Sequence, residues 1–139
     1  MKIKNSVECW IVSNNQVLLL EVDKGKGHPK FLQPVTGGIE PGENSLIAVC
    51  REIYEETGLH VRPNELEQII NGYQVYIQEE LLKIIKDVFI LRLEKPFEVC
   101  ISSEHTGYSW VHSTKVNKLL YWDSNKETYT IIESRLQGN

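Results

Sequence analysis

The stretch Gly37–Leu59, GGIEPGENSLIAVCREIYEETGL, constrains this chain more than any other. Thr36-Gly37-Gly38 and Pro41-Gly42 are breaker clusters, so the chain loops there. Asn44 or Ser45 can cap a helix that runs to about Thr57. Gly58 stands where a left-handed residue is wanted after the last turn. At about 100° per residue, Glu52, Glu55 and Glu56 share one arc of that helix. Val49, Ile53, Leu46, Cys50, Tyr54 and Ile47 occupy the neighbouring and opposite arc, and Ala48 leaves space among the glutamates. The pattern predicts one face packed on a core and another gathering acid at the helix surface.

Carboxylates at i, i+3 and i+4 repel one another. Arg51 can pair with Glu55 one turn on, which relieves only part of this. Two readings follow from the acids alone. One is a solvated acidic face. The other is a site for a hard cation such as Mg²⁺, which takes oxygen ligands and keeps waters for a phosphate substrate. Glu43, just before the helix, can fold back toward Arg51 or toward a metal.

The spacing is specific. Gly37 is followed after five residues by Glu43, and after seven more by Arg51-Glu52-Ile53-x-Glu55-Glu56-x-Gly58-Leu59. This resembles the MutT/Nudix hydrolase signature at every defined position, a match with a chance likelihood of order 10⁻⁷ at ordinary residue usage. The resemblance implies an α/β (α+β) fold with a mixed β-sheet sandwiched between α-helices. It implies a Mg²⁺ or Mn²⁺ site formed by Glu52, Glu55, Glu56 and the carbonyl of Gly37. Outside the motif, Phe31-Leu32-Gln33-Pro34-Val35-Thr36-Gly37-Gly38 and Glu104-His105-x-x-Tyr108-x-Trp110 resemble stretches of the bacterial dihydroneopterin triphosphate pyrophosphohydrolases. There Leu32 stands for an aromatic residue and Pro34 for a small polar one. That group implies a further metal-directed carboxylate at Glu104. Glu52, Glu104 and Arg51 are thus the catalytic candidates, and the residues do not choose between Glu52 and Glu104 as general base. Lys30, Gln33 and Gly38 are the substrate-binding candidates. The run Lys24, Lys26, His28, Lys30 can meet a phosphate tail or form a solvated loop. Tyr108 and Trp110 are expected in the core.

The rest of the chain sets bounds. Its 139 residues suit one domain able to bury a core. A net charge of −4 argues against a general binder of nucleic acid or anionic membranes. An anionic substrate therefore needs local help from a metal and a few basic groups. Cys9, Cys50 and Cys100 show no metal or redox spacing, Cys50 is expected in the core, and a reducing cytoplasm fits them. No signal-peptide pattern or membrane-length apolar run is expected.

Val7–Val12 and Val17–Val22 read as a hairpin turned at Asn14-Asn15, and Phe31–Val35 as one short extended piece. Leu66–Ile77 and Ile84–Leu93 read as longer strands around a turn at Gln78–Glu80, with Tyr108–Val111 as another short strand. Ser124-x-x-Glu127 is a capping-box pattern for a last helix to about Leu136. The expected activity is Mg²⁺-dependent hydrolysis of a nucleoside-triphosphate-like compound, a small phosphorylated molecule, to monophosphate and pyrophosphate. A dinucleoside polyphosphate hydrolase and a non-catalytic ligand-binding module are the alternatives. The oligomeric state is not legible in the sequence.

Overall fold

β1 (Lys2–Ser13) is the strand on which the fold is assembled. Its side chains alternate between two faces, and both faces are covered. Val7, Cys9 and Ile11 enter one core with Ala48, Val49 and Ile53 of α1 (Ser45–Thr57). Trp10 and Val12 enter a second core with Tyr129 and Ile132 of α3 (Asp123–Gln137). The sheet therefore lies between helices, as the resemblance implied. The structure, a computed structural model, describes residues 1–137.

β2 (Gln16–Val22), β3 (Phe31–Gln33), β4 (Val35–Gly38), β5 (Leu66–Ile77), β6 (Leu82–Leu93) and β7 (Gly107–His112) complete the sheet. Its order is β3-β2-β1-β6-β5, with β4 paired to β1 and β7 to β2. β1 and β6 run parallel from Lys2 opposite Leu82 to Ser13 opposite Leu93, and the other pairings are antiparallel. This long parallel ladder carries β1 back to Lys2, five residues before the expected start at Val7. The polar Lys2–Ser6 segment has no apolar periodicity to betray it, and only pairing makes it a strand.

The expected single piece Phe31–Val35 is two strands. Pro34 has no N–H to give to a ladder. The chain changes partners there, β3 lying on β2 and β4 on β1. That switch delivers Gly37 to the edge of α1. Near the C-terminus, a short α2 (Val116–Leu119) precedes α3 and was not foreseen. α3 begins at Asp123, so Ser124 sits inside its first turn rather than at the cap. The Ser124 carbonyl accepts from Thr128 Oγ1 at 3.1 Å, and the Glu127 carboxylate accepts from the Tyr73 hydroxyl.

The orientation of α1 corrects the expected division of its faces. Ala48, Val49, Ile53, Glu56 and Thr57 are buried, while Ile47 and Tyr54 are 51% and 48% exposed and Leu46 is exposed too. Cys50 is half-buried rather than in the core. The small Ala48 lies on the same stripe as Glu52 and Glu56, so the helix approaches the sheet closely along its acid row. Glu56 and, in part, Glu52 face inward, Glu55 stays exposed, and several apolar side chains face out. No described helix is long and apolar enough to cross a membrane.

Candidate active site

The limits of α1 are set locally. Asn44 is the N-cap, its Oδ1 accepting from Ile47 N at 2.9 Å, a contact that contributes about 1 kcal/mol. At the other end Gly58 adopts φ 80°, and its N–H bonds the Tyr54 carbonyl at 2.8 Å.

Between these caps Arg51 collects the acids. Its Nε and Nη2 grip the Glu43 carboxylate in a two-point contact at 2.7 and 2.9 Å. Nη1 donates to Glu52 at 2.8 Å and to Glu55 at 2.9 Å, and Nη2 also donates to the Gly38 carbonyl at 2.9 Å. The guanidinium, and then the Glu40 N–H, hold Glu43 down at about 2. Glu43 thus turns to Arg51, one of the two partners its position offered. The Gly38 carbonyl also serves the arginine.

Glu52 and Glu56 are the strained part. Glu56 is 5% exposed, and its Oε1 accepts a long bond from Thr36 N at 3.4 Å. Burial raises its pKa, and the neighbouring Glu52 charge raises it further. Glu104 adds to the same effect. Burial also raises Glu52, against the pull of Arg51. Gly37 lies against this pair: a Cβ there would come within 2.1 Å of Glu52 Cδ. Only glycine lets that carboxylate reach the loop.

Opposite the helix, Glu104 is exposed on the segment before β7, and no donor among the described residues reaches its carboxylate. Its neighbour His105 is buried. His105 Nε2 stands 4.0 Å from Glu56 Oε1, and Nδ1 lies 3.2 Å from Ser102 Oγ. Burial lowers the His105 pKa and favours the neutral ring. Glu56, Glu104, His105, Gly37, Thr36 and Gln33 line one cavity of about 1060 Å³.

The structure therefore brings Gly37, Glu52, Glu56 and Glu104 to one region. Glu55 is exposed at its margin and tied to Arg51. Among the described residues no three carboxylate, histidine or cysteine side chains yet enclose a cation-sized space. The donor set nonetheless fits a hard divalent cation. It consists of oxygens, it is crowded, and its buried members lack enough donors to stay charged without one. Gln33 lines the cavity, Lys30 is exposed outside it, and Gly38 borders a separate hollow with Lys2 and Lys4. Lys24 replaces Lys30 as the cavity's basic group from that loop, its Nζ 5.2 Å from the Trp122 ring. Tyr108 and Trp110 pack on the core as expected, Trp110 Nε1 donating to the Phe97 carbonyl at 3.2 Å.

Sequence reasoning missed a second polar centre in the same cavity. Glu8 is 1% exposed and accepts four hydrogen bonds. Lys86 Nζ at 2.6 Å and Asn125 Nδ2 at 3.0 Å meet Oε1. Trp10 Nε1 at 2.9 Å and Thr128 Oγ1 at 2.6 Å meet Oε2. The signal was a single acid in the apolar run Val7–Val12 and a lysine in the strand Ile84–Leu93. Opposite charges in two strands covered on both faces must find each other.

Clustered acids on a helix, a glycine that yields to them and a cavity that runs beyond them describe a hydrolase of phosphorylated compounds. The NUDIX domain family model matches residues 2–131, and the chain belongs to the Nudix family of hydrolases acting on phosphoanhydride bonds. It is 26% identical over 141 residues to the dihydroneopterin triphosphate diphosphatase of Haemophilus influenzae, covering 91% of this chain and 87% of that one. It is 30% identical over 121 residues to the asymmetrical bis(5′-nucleosyl)-tetraphosphatase of Mus musculus, covering 84% of this chain and 77% of that one. The structure of the E. coli dihydroneopterin triphosphate pyrophosphohydrolase superposes with a TM-score of 0.75 at 24% identity, over 93% of this chain and 95% of that one. That likeness carries the fold.

Proposed function

We propose that this chain is a Mg²⁺-dependent pyrophosphohydrolase that splits a nucleoside-triphosphate-like compound into a monophosphate and pyrophosphate. The observation that carries this is the inward acid row of α1 at one end of a cavity with room for a larger organic group. Glu52, Glu55, Glu56 and the Gly37 carbonyl would hold the cation, with Glu104 facing them from across the cavity. When bound, it offsets charge on the phosphate oxygens and lowers the pKa of an attacking water. Arg51 is a positioning residue: it holds Glu43, Glu52 and Glu55 in one arrangement and does not itself face the cavity. Glu104 is the better candidate for the base. Glu52 already carries an Arg51 hydrogen bond, whereas the Glu104 carboxylate is free to accept a proton. The water oxygen bonds to phosphorus as the P–O anhydride bond breaks, its proton passing to Glu104 and the pyrophosphate leaving with the bond's electron pair. Lys24 and Gln33 line the path to the remainder of the substrate. The substrate would be a small phosphorylated molecule, met by a single domain in a reducing cytoplasm.

A second reading, a dinucleoside polyphosphate as substrate, is favoured by one feature. His28, Phe31, Tyr121 and Trp122 form a continuous ring cluster, with Tyr121 exposed and Trp122 on the cavity. Such rings can stack a second base. Product analysis in ¹⁸O water separates the readings. Pyrophosphate with label in the monophosphate supports α-phosphorus attack on a triphosphate. Orthophosphate as first product, or turnover of dinucleoside polyphosphates alone, overturns it.

A further inference from the structure

His105 is a buried side chain without a task in the proposed reaction, and it stands beside both Glu56 and Glu104. Its side chain is 2% exposed, with Nε2 4.0 Å from Glu56 Oε1 and Nδ1 3.2 Å from Ser102 Oγ. Ser102 meets the same short loop twice more. Its carbonyl accepts from His105 N at 3.1 Å, and its Oγ accepts from Glu104 N at 3.2 Å. The exit of the loop is fastened as well. Thr106 N donates to the Glu21 carbonyl at 3.0 Å, and Thr106 Oγ1 donates to Glu21 Oε1 at 2.9 Å. Glu104 therefore projects from a turn held at both ends, and Ser102 holds its backbone directly.

The protons of that turn fix the ring. A hydroxyl has one proton to give and accepts at its lone pairs. Ser102 Oγ already accepts from Glu104 N, and the one acceptor that meets it among the described residues is His105 Nδ1. Nδ1 therefore takes the hydroxyl proton, and Nε2 keeps the ring proton. Nε2 carries that proton in the neutral and in the charged ring alike. At 4.0 Å from Glu56 Oε1 it lies just beyond hydrogen-bond reach, and a side-chain adjustment of about 1 Å closes the gap. Thr36 N, at 3.4 Å, approaches the same oxygen. The nitrogen donors of the protein thus gather on Oε1 and leave the other oxygen of Glu56 for the cation. We propose that Ser102 and His105 are positioning residues: Ser102 sets the His105 ring so that Nε2–H holds Oε1 of Glu56, and the same hydroxyl holds the backbone of Glu104. One turn then places a metal ligand and the base together. This rests on the metal-dependent reading above. An N–H on a carboxylate favours its ionised form, the form that binds a cation. Losing an outer partner of this kind costs about 10–100-fold in metal affinity or activity.

Two measurements need no turnover. In a two-bond ¹H–¹⁵N correlation spectrum, with or without Mg²⁺, the His105 ring should carry its proton on Nε2, its signals being those lost in His105→Gln. Ser102→Ala should release the ring to a mixture of tautomers. In a Mn²⁺ titration followed by electron paramagnetic resonance, His105→Leu should bind about tenfold or more weakly than the wild type. His105→Gln keeps an N–H near the Nε2 position and should stay within about threefold. Activity reads the other arm of the turn: Ser102→Ala should lower kcat about tenfold with KM little changed, and Ser102→Thr, which keeps the hydroxyl, should restore it. Melting curves run alongside each variant. A ring proton on Nδ1 in the wild type overturns the proposal without any variant. So does wild-type Mn²⁺ affinity in folded His105→Leu, and so does equal weakening in the Leu and Gln variants, which marks a packing role. Unchanged kcat in Ser102→Ala removes the arm to Glu104. If the wild type binds no Mn²⁺, the metal-dependent reading fails, while an Nε2 proton that Ser102→Ala unsettles still upholds the setting of His105 by Ser102.

Discussion

Glu56 and Glu8 are both buried glutamates on the same cavity, and they are opposites. Glu8 has four donors, one of them the Lys86 ammonium, so its charge is accounted for within the protein. Glu56 has one long backbone bond and a second carboxylate beside it. Burying a charge is tolerated when partners replace the lost water and otherwise drives neutralisation. One acid is therefore a fastening between β1, β6 and α3. The other is short of donors, a lack that the proposed cation would offset. The number of donors, rather than burial, separates structural from functional acid here.

Removing each acid should break the comparison in different ways. Glu56→Gln should lose several kcal/mol of transition-state stabilisation, more than a thousandfold in kcat/KM, while the fold persists. Activity at saturating Mg²⁺ beside a melting curve decides this, and near-normal turnover in the folded variant would remove Glu56 from the metal site. Glu8→Ala should instead cost about 3–5 kcal/mol of folding stability, because Lys86 stays buried without its partner. Denaturant unfolding reads that loss, and a change under 1 kcal/mol would show that the hub is not a fastening.

Glu104→Gln tests the far wall of the same end. Its kcat should fall by about a hundredfold or more with KM little changed, since the substrate is held elsewhere. Full kcat would make Glu104 a loop acid and return the base role to Glu52. The last comparison is one of pH. The folded pKa of Glu56 is raised from 4.5 to about 9, so the folded protein binds the proton more tightly than the unfolded chain. That contribution is fully present below about pH 4.5 and is lost as pH rises toward 9. Without metal, the melting temperature should decline over that window from this group. Saturating Mg²⁺ should flatten the decline, and Glu56→Gln should remove it. A metal-free profile identical in wild type and Glu56→Gln would contradict the account.

The reach of the sequence shows in particular elements. Asn44, Gly58 and the Arg51-Glu52…Glu55-Glu56 spacing act within one helix, so its limits and its acids were legible. The break at Pro34 was written in the chain but read as continuous, because the change of partner from β2 to β1 depends on strands elsewhere. α1 is legible only in part on its inward face: Val49 and Ile53 are buried as expected, but Glu56 is buried beside them. Its outer side carries Ile47 and Tyr54, and hydrophobic pattern alone favours burying them.

Local chemistry, then, determined the motif, the loop that feeds it and the caps of its helix, since each needs only residues a few positions apart. Tertiary structure decided the rest of the site. Glu8 meets Lys86 across 78 residues and Asn125 across 117, and Glu104 reaches the cavity from beyond β6. No local preference encodes such meetings. They exist because a parallel ladder sets β1 beside β6 and a packed core presses α3 onto both, leaving the buried charges no other partners.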